Sequence, residues 1–508
     1  MQGVTDFERA AAWKRIQAAA KKCNDPKSAP LLRLLLEVFM RQFFGRPYPG
    51  LASFLVCATL VPLPAQTFRT LWAFNETNGY FPESALIQGA NGDFFGTTLG
   101  GGTGGDCEVN GNVGCGTVFN ISAAEKLTTL HSFVGSEGQS PYAGLVMAAD
   151  GQFYGTASGG GAYGFGTVFQ MTPAGVVTPL YSFSGNDGGF PGAALVEVSR
   201  GVFYGTTQGG YLFGTIFKIS ASGQLTTLHT FAQTDGQTPL GLVVGGDGNL
   251  YGTTVVGGAN NYGTVFKMTP GGTLTTLHDF SFTDGAYPYG VLVQGQDGSF
   301  YGTSYGGLNQ SGCYEGCGTI YRITPSGEFT SLYQFCAQTG CPDGNDPEGG
   351  LIQATDGAFY GTTYEGGAGS AGSIFRVTPS GVLTTLFSFS GFCCDGPVAS
   401  LFQATNGELY GTTLQDEGYG TIFSLSLGLG PFVEMVPAFG NTGAKVRILG
   451  TDLTGTSSVN FNGTPAVFTV NNSGGAIATT VPDGATSGPV QVVTPNGTLD
   501  SSVVFQVR

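Results

Sequence analysis

Four short motifs recur seven times between residues 66 and 427, and this repetition constrains the fold more than any other feature. Each motif is rich in Thr, Val, Phe and Tyr and is bounded by turn residues, as β-strands are. Four strands in a unit of about 50 residues are typical of one β-propeller blade. The sequence therefore predicts an all-β chain whose larger part is a seven-bladed β-propeller.

We call the four predicted strands of each unit a, b, c and d. Strand a centres on Leu86, Leu145, Leu195, Leu242, Leu292, Leu351 and Leu401. Strand b carries Gly96, Gly155, Gly205, Gly252, Gly302, Gly361 and Gly411. Strand c begins at Gly116, Gly166, Gly214, Gly263, Gly318, Gly372 and Gly420. Strand d ends at Phe74, Phe133, Phe183, Phe231, Phe280, Phe335 and Phe389.

Loop lengths distinguish two faces of the predicted propeller. The Leu of strand a and the Gly of strand b are ten residues apart in every unit, and the c–d turns also keep one length. The b–c and d–a loops vary, with the longest at 96–116, 302–318 and 335–351. Binding sites usually lie on variable loops of a rigid scaffold, so we expect a site on this second face, which we call the variable face.

The strand order also predicts how the ring closes. The repeats begin with a lone d-type strand at 68–74 and end after a c-type strand at 420–425. The N-terminal strand can therefore complete the last blade and remove an open sheet edge. An open array of seven units is the alternative, and it would leave both ends unpaired.

The C-terminal segment predicts a second domain. After a linker at 428–430, residues 431–508 alternate apolar residues with turns, as in a compact β-sandwich. The segment resembles the IPT/TIG family of immunoglobulin-like domains through Pro437, Gly440, Gly443, residues 459–463 and residues 488–490. This resemblance implies a spacer or interaction module without catalytic residues.

The repeats at 67–427 resemble the bacterial GloVer tandem-repeat family of choice-of-anchor surface and secreted proteins. Stretches such as Asp297–Thr303 and Gly263–Pro270 carry the resemblance. It implies a secreted or cell-surface location and leaves the activity open. The sequence ends at Arg508 without an apolar tail, which predicts free secretion or another attachment.

Residues 1–65 predict a presequence with a secretory signal peptide. Arg41 and Arg46 precede the apolar run 51–61, and cleavage is predicted after Ala65. The run is too short to span a bilayer comfortably, so no membrane span is expected in the mature protein. Met40 is the predicted translation start. The alternative is a cytoplasmic amphipathic helix with the apolar run as an anchor.

The charge excludes one class of partner. Residues 1–65 hold nine Lys/Arg and four Asp/Glu, which leaves ten basic and 30 acidic residues, a net charge of −20, in the remainder. An acidic body repels phosphate backbones, so nucleic-acid binding is not expected. We expect a monomer.

Eight cysteines follow the presequence as local pairs in the variable loops: Cys107/Cys115, Cys313/Cys317, Cys336/Cys341 and Cys393/Cys394. Secretion predicts disulfides. Zinc is the alternative, although no His is near and the spacing is unsuitable. Pairing of Cys393 or Cys394 with Cys336 or Cys341 also remains open.

Few residues suggest catalysis. His131, His229 and His278 occupy equivalent positions in different blades, so they are not expected to converge as metal ligands or in a triad. Candidate Ca²⁺ ligands, each also explained as a turn residue, are Asp187, Asp235 and Asp284. Candidates for stacking on sugar rings, each also explained by packing between blades, are Tyr142, Phe190, Tyr287 and Tyr289. No other cofactor is expected.

Two functions remain. The first is a binding or structural module whose variable face holds polysaccharide or a surface protein. The second is an extracellular lyase or glycoside-processing enzyme, which would need close carboxylates or a metal cluster in the central channel.

Overall fold

The computed structural model describes residues 66–508, apart from 105–106, 110–111, 309–312, 314, 392–395 and 416–417. The predicted presequence, its start at Met40 and the pair Cys393/Cys394 lie outside the described residues. The described part is all-β, with 40 strands and no α-helix. No helix long and apolar enough to cross a bilayer is therefore present in that part.

Strands β1–β30 follow the repeats. The first three units contain β1 (Thr67–Ala73), β2 (Ile87–Gln88), β3 (Phe94–Thr98), β4 (Glu108–Val109), β5 (Asn112–Val113), β6 (Thr117–Ile121), β7 (Leu127–Ser132), β8 (Val146–Met147), β9 (Phe153–Ala157), β10 (Thr167–Met171), β11 (Val177–Ser182), β12 (Val196–Ser199), β13 (Val202–Thr207), β14 (Thr215–Ser220) and β15 (Leu225–Thr230). The last four contain β16 (Gln237–Val244), β17 (Leu250–Val256), β18 (Thr264–Met268), β19 (Leu274–Asp279), β20 (Val293–Gln294), β21 (Phe300–Ser304), β22 (Thr319–Ile323), β23 (Phe329–Gln334), β24 (Ile352–Gln353), β25 (Phe359–Thr363), β26 (Ser370–Val377), β27 (Leu383–Ser390), β28 (Phe402–Gln403), β29 (Leu409–Thr413) and β30 (Thr421–Ser426).

Each repeat forms one four-stranded antiparallel sheet, and the predicted order a–b–c–d is confirmed. The first six sheets are β2-β3-β6-β7, β8-β9-β10-β11, β12-β13-β14-β15, β16-β17-β18-β19, β20-β21-β22-β23 and β24-β25-β26-β27. The seventh is β28-β29-β30-β1. Strand β1 pairs with β30 from Thr67↔Ser426 to Ala73↔Thr421, so the predicted closure by the N-terminal strand is also confirmed.

The glycine of strand b allows the other strands to pack closely. A Cβ on Gly155 would lie 2.5 Å from Cζ of Phe169 in strand c and 3.0 Å from Cδ2 of Leu145 in strand a. Only a residue without a side chain fits there, because the aromatic ring of strand c already fills the space. The same contact recurs in the other repeats, which explains why the glycine is present in all seven motifs.

Aromatic side chains of strand b join neighbouring sheets. The rings of Tyr154 and Phe203, in the second and third sheets, have centroids 4.2 Å apart. The ring of Phe94 in the first sheet lies 4.3 Å from that of Tyr410 in the seventh. The seven sheets therefore pack in succession, and the last packs against the first.

The C-terminal region, residues 431–508, forms further antiparallel sheets around its own core. Its strands are β31 (Glu434–Val436), β32 (Phe439–Gly440), β33 (Lys445–Leu449), β34 (Ser458–Phe461), β35 (Thr464–Pro465), β36 (Phe468–Val470), β37 (Ala476–Thr480), β38 (Val490–Thr494), β39 (Gly497–Asp500) and β40 (Gln506–Val507). They form the sheets β31-β33-β37-β36 and β35-β34-β38-β39 and the parallel pair β32-β40. Ile448, Val459 and Phe461 belong to the buried core between them.

The C-terminal region packs on the a–b turns of the repeats. The Asn471 amide donates to the carbonyl of Ala90 (2.9 Å), and the backbone N–H of Phe432 donates to Thr405 (3.0 Å). Leu449 shares an apolar cluster with Phe153 of the second sheet. The C-terminal region therefore packs on the end of the sheets that carries the a–b turns of constant length. The b–c and d–a loops, which form the variable face, lie at the opposite end.

Candidate functional site

A hydrogen bond positions the segment that enters strand a. In six repeats the residue before a proline has a positive φ of 54–56°: Phe81, Ser140, Phe190, Thr238, Tyr287 and Asp346. Its N–H donates to the carbonyl just before the strand-c glycine of the preceding sheet, as from Ser140 to Cys115 (2.8 Å). A positive φ is rare outside glycine, and here this inter-sheet hydrogen bond accompanies it in every case.

The seventh repeat also has a proline at this place, Pro397. The residues that follow the seven prolines are Glu83, Tyr142, Gly192, Leu240, Tyr289, Glu348 and Val398, one from each repeat. The Glu83 carboxyl of the first repeat and the Tyr142 phenol of the second each shift the pKa of the other, and the charge of Glu348 from the sixth repeat acts on both. Tyr142 and Tyr289 also interact, although the second and fifth sheets are not neighbours. These electrostatic interactions bring residues of the first, second, fifth and sixth repeats into one group.

Four carboxyl groups and three tyrosines make up what we call the central cluster: Glu83, Asp346, Glu348, Glu365, Tyr142, Tyr289 and Tyr305. All seven lie in d–a or b–c loops, hence on the variable face. Tyr142 and Tyr289 are 38% and 42% exposed, so a ligand could reach them from solvent.

Burial and mutual repulsion hold protons on the cluster. Burial first, and then the Glu348 charge, raises the pKa of Glu83 to about 7. Burial and Glu365 raise the pKa of Glu348, and that of Asp346, to about 7. No basic side chain of the described residues contributes to these three pKa values. At neutral pH the cluster therefore both donates and accepts hydrogen bonds.

Exposed aromatic rings form a second feature of the variable face. The ring of Phe165 lies 5.6 Å from that of Phe190 and 5.1 Å from that of Tyr211. Phe190, Tyr211 and the adjacent Tyr163 and Phe213 are 42%, 70%, 65% and 50% exposed. We call these five residues, from the second and third repeats, the aromatic patch. Flat exposed rings of this kind are more typical of a binding surface than of a solvated loop.

The predicted stacking residues divide between these two features. Tyr142 and Tyr289 belong to the central cluster, and Phe190 belongs to the aromatic patch. Tyr287 lies against Tyr262, with ring centroids 5.8 Å apart, and burial with the nearby Glu315 raises its pKa. The four residues therefore do not form a single cluster, and their role in binding stays a prediction.

The structure keeps the candidate Ca²⁺ ligands apart. Asp187, Asp235 and Asp284 each accept a backbone N–H in their own loop, from Ser184 (2.8 Å), Ala232 (2.7 Å) and Ser281 (2.9 Å). Their second oxygens contact strand d, at Tyr181, His229 and His278. Burial lowers the pKa of His278 despite the nearby Asp284. These contacts are those of turn residues, and a Ca²⁺ role stays a prediction.

The disulfides follow the local pairing that the sequence predicts. Cys107 bonds Cys115, Cys313 bonds Cys317, and Cys336 bonds Cys341. The alternative bond to Cys393 or Cys394 involves residues outside the described part of the chain and stays a prediction.

The sequence reasoning missed the carboxyl groups of the central cluster. Glu83 and Glu348 are 265 residues apart and carry no motif of their own. One signal was available, because an alignment of the seven repeats at the proline places Glu, Tyr, Gly, Leu, Tyr, Glu and Val in one column. The residue type in this column differs from repeat to repeat, whereas the motif residues around it stay the same. Such a difference indicates a functional role for the column and a structural role for the motifs.

The raised pKa values predict that stability falls with rising pH. Both Glu83 and Glu348 have a model-peptide pKa of 4.5 and a folded pKa of about 7, so the folded state binds more protons across this interval. We expect the thermal midpoint to be a few degrees higher at pH 5 than at pH 8. Differential scanning calorimetry across this range measures it.

A double variant tests whether the central carboxyl groups cause this change of the thermal midpoint with pH. Glu83→Gln with Glu348→Gln should reduce the pH dependence without abolishing it, because burial also raises the pKa of Asp346 and Glu434 to about 7. Glu328→Gln, at an exposed c–d turn, is the matched control. An unchanged slope in the double variant would show that the central carboxyls do not titrate in this window.

Comparisons with known proteins establish the fold and the family. No curated protein sequence matches the chain. A fungal alcohol oxidase of the AA5 family, in complex with copper, is 11% identical, with 87% of this chain and 98% of that chain covered and a TM-score of 0.51. An aldose sugar dehydrogenase from Streptomyces coelicolor in its PQQ-bound form is 12% identical, with 71% and 98% covered and a TM-score of 0.37.

The TM-score of the alcohol oxidase shows similarity of fold alone, and at this identity it carries no information on activity. The family is shown by the repeats themselves. Residues 58–211, 194–341 and 305–478 each match the Gloeobacter/Verrucomicrobia repeat, which confirms the resemblance seen in the motifs. Because these matches together span residues 58–478, the chain belongs to the Gloeobacter/Verrucomicrobia repeat family.

Proposed function

We propose that this protein is an extracellular binding module whose variable face holds a polysaccharide. One observation carries the proposal: the central cluster and the aromatic patch lie on the same face, where loop length varies. Carboxyl and phenol groups can donate to and accept from sugar hydroxyls, and exposed rings can stack on sugar faces. A protein ligand is the alternative that the same surface would allow.

The proposed architecture is a closed seven-bladed β-propeller at 66–427, a linker at 428–430 and an immunoglobulin-like domain of IPT/TIG type at 431–508. The seven successive four-stranded sheets, with the first packed against the last, support the propeller. Two four-stranded sheets around one core support the second domain. Its contacts with the a–b turns suit a spacer that leaves the variable face free.

The proposed location is outside the cell, free or attached to the surface. Three disulfides among the described residues support an oxidising compartment. The signal peptide, with a start at Met40 and cleavage after Ala65, remains part of this proposal. N-terminal sequencing of the exported protein tests it, and a mature chain that retains Met1 would contradict it.

Loss of aromatic rings should weaken binding. A glycan array identifies the ligand, and titration calorimetry then compares wild type with Phe190→Ala and Tyr289→Ala. We expect each variant to bind at least about fivefold more weakly, the effect of removing an energetically important aromatic contact. Val382→Ala is the matched control, because Val382 is 62% exposed on a c–d turn. Failure to bind any glycan, or equal weakening by the control, would contradict the proposal.

The second candidate is a polysaccharide-cleaving enzyme with its site in the central cluster. The observation that favours it is the pair Glu83 and Glu348, because a protonated carboxyl beside an ionised one can act as general acid and base. Incubation with polysaccharides, followed by assays for new reducing ends and unsaturated products, tests it. Turnover that Glu83→Gln and Glu348→Gln abolish would support the enzyme, and no turnover would exclude it for the substrates assayed.

A further inference from the structure

Two cysteine pairs that lie in different loops converge on one point of the fold. Cys313 and Cys317 belong to the b–c loop of the fifth repeat, and Cys336 and Cys341 to the d–a loop that follows it. All four Sγ atoms lie within 4.8 Å of one another. Within the described residues, no other group of His, Cys, Asp or Glu brings three or more potential metal ligands together in this way.

The separation between the pairs matches tetrahedral thiolate coordination. The Sγ atoms of Cys313 and Cys336, which are not bonded to each other, are 3.9 Å apart. In a zinc site with Zn–S bonds of about 2.3 Å, the tetrahedral angle places sulfurs about 3.8 Å apart.

The surroundings are those of a structural metal site. Cys317 and Cys336 are 0% and 3% exposed, and Cys313 is 9% exposed, within an apolar cluster that includes Phe335. The sequence alone disfavoured zinc, but each pair taken separately, C-x₃-C and C-x₄-C on two adjacent loops, has the spacing of a zinc-ligand pair. The loops involved are also two of the longest on the variable face.

We propose that Cys313, Cys317, Cys336 and Cys341 form a four-thiolate site for Zn²⁺ that is available when the two disulfides are reduced. Two equivalents of a dithiol reductant convert the two disulfides into four thiols and become two disulfides themselves. Binding of Zn²⁺ then releases up to four protons as the thiols become thiolates. The disulfide state and the metal state are therefore alternative cross-links of the same two loops.

The site connects directly to the central cluster. The carbonyl of Cys317 accepts the N–H of Asp346 (3.3 Å), and the carbonyl of Cys341 accepts those of Gly344 (2.9 Å) and Gly367 (2.8 Å). Either cross-link therefore holds the segment that carries Asp346 and Glu348. The metal proposal is independent of what that cluster binds.

Metal titration of the reduced full-length chain tests the proposal. Co²⁺ is the probe, because thiolate coordination in a tetrahedral site gives intense visible absorption and sulfur-to-metal charge-transfer bands. We expect one Co²⁺ per chain, displaced by Zn²⁺, and no such spectrum from the oxidised chain. Cys313→Ser should weaken binding by about 100-fold or more, because even partners of metal ligands are worth 10–100-fold. Cys107→Ser, in the separate Cys107–Cys115 pair, is the matched control and should leave binding unchanged.

A second measurement needs no variant. Alkylation of the reduced wild-type chain with and without Zn²⁺, followed by peptide mass spectrometry, reports which thiols the metal protects. Protection of the four proposed ligands, with Cys107 and Cys115 alkylated as before, supports the site. Equal alkylation of all six with and without Zn²⁺ overturns it, as would a Co²⁺ spectrum that Cys313→Ser does not change.

Discussion

A chain that begins at Asn75 instead of Gln66 is expected to lose cooperative folding or to melt at least about 10 °C below the chain that keeps β1. Without β1, strand β30 becomes an open edge, since β1 is its only partner on that side. The deletion also removes Phe68, whose ring stacks on Phe387 with centroids 3.9 Å apart, and Phe74, which lies 5.1 Å from Phe119.

Magnitudes explain why this effect should be large. Removal of a core phenylalanine typically costs about 3–5 kcal/mol, and whole domains are stable by only about 5–15 kcal/mol. Loss of two such rings together with a strand is therefore comparable to the total stability. Deletion of residues 1–65 alone is the control, because it keeps β1 intact. If calorimetry gave both truncated chains the same midpoint, ring closure by β1 would not stabilise the fold.

A finer variant separates the ring from the strand. Phe68→Ala keeps the backbone pairing of β1 and should cost about 2–3 kcal/mol, because Phe68 is half-buried against three rings. Thr70→Ala, at an exposed position of the same strand, should change stability by less than about 0.5 kcal/mol.

Gly166→Ala is expected to destabilise the fold by about 3 kcal/mol or more. Gly166 has a φ of 94°, and a Cβ there would lie 2.5 Å from the carbonyl oxygen of Ala157 and 2.7 Å from Cδ of Pro191. Neither the strand-b backbone nor the proline ring can move away easily. The same glycine–proline contact recurs between Gly116 and Pro141, and in four further repeats.

The matched control is Gly246→Ala, since the nearest atom to a Cβ there is the flexible Oε1 of Gln294 at 3.8 Å. Chemical denaturation of both variants gives the comparison. A destabilisation by Gly166→Ala no larger than that of the control would show that the contact between neighbouring sheets can relax. Because Pro191 follows Phe190, a large effect would also link this packing to the position of the aromatic patch.

Much of the repeat region could be predicted because its determinants are local. Three determinants each act over a few positions of one unit: the strand-b glycine, the ten-residue a–b spacing, and the turn between strands a and b, such as Asn91-Gly92 or Asp297-Gly298. Because the motifs recur seven times, the strand assignment in one unit strengthened the assignment in the others. The three observed disulfides were predictable for the same reason, since each closes a loop of fewer than ten residues.

The candidate site could not be predicted in the same way. Tyr142 and Tyr289 were chosen because they are aromatic and lie in variable loops, and nothing local pointed to Glu83 or Glu348. Their proximity depends on the ring formed by seven sheets, which brings the first repeat to the sixth. The convergence of Cys313 with Cys336 likewise depends on how two long loops fold next to the same sheet.

The sequence alone determined which segments become strands, which strand closes the last sheet and which face carries the variable loops, because hydrophobic pattern, turn chemistry and spacing act between near neighbours. Only the tertiary structure decided which loop residues meet at the centre, that four sulfurs share one site and that the C-terminal region packs on the constant turns. These outcomes depend on distances between segments far apart in the chain, and such distances are set by the packing and curvature of the whole ring.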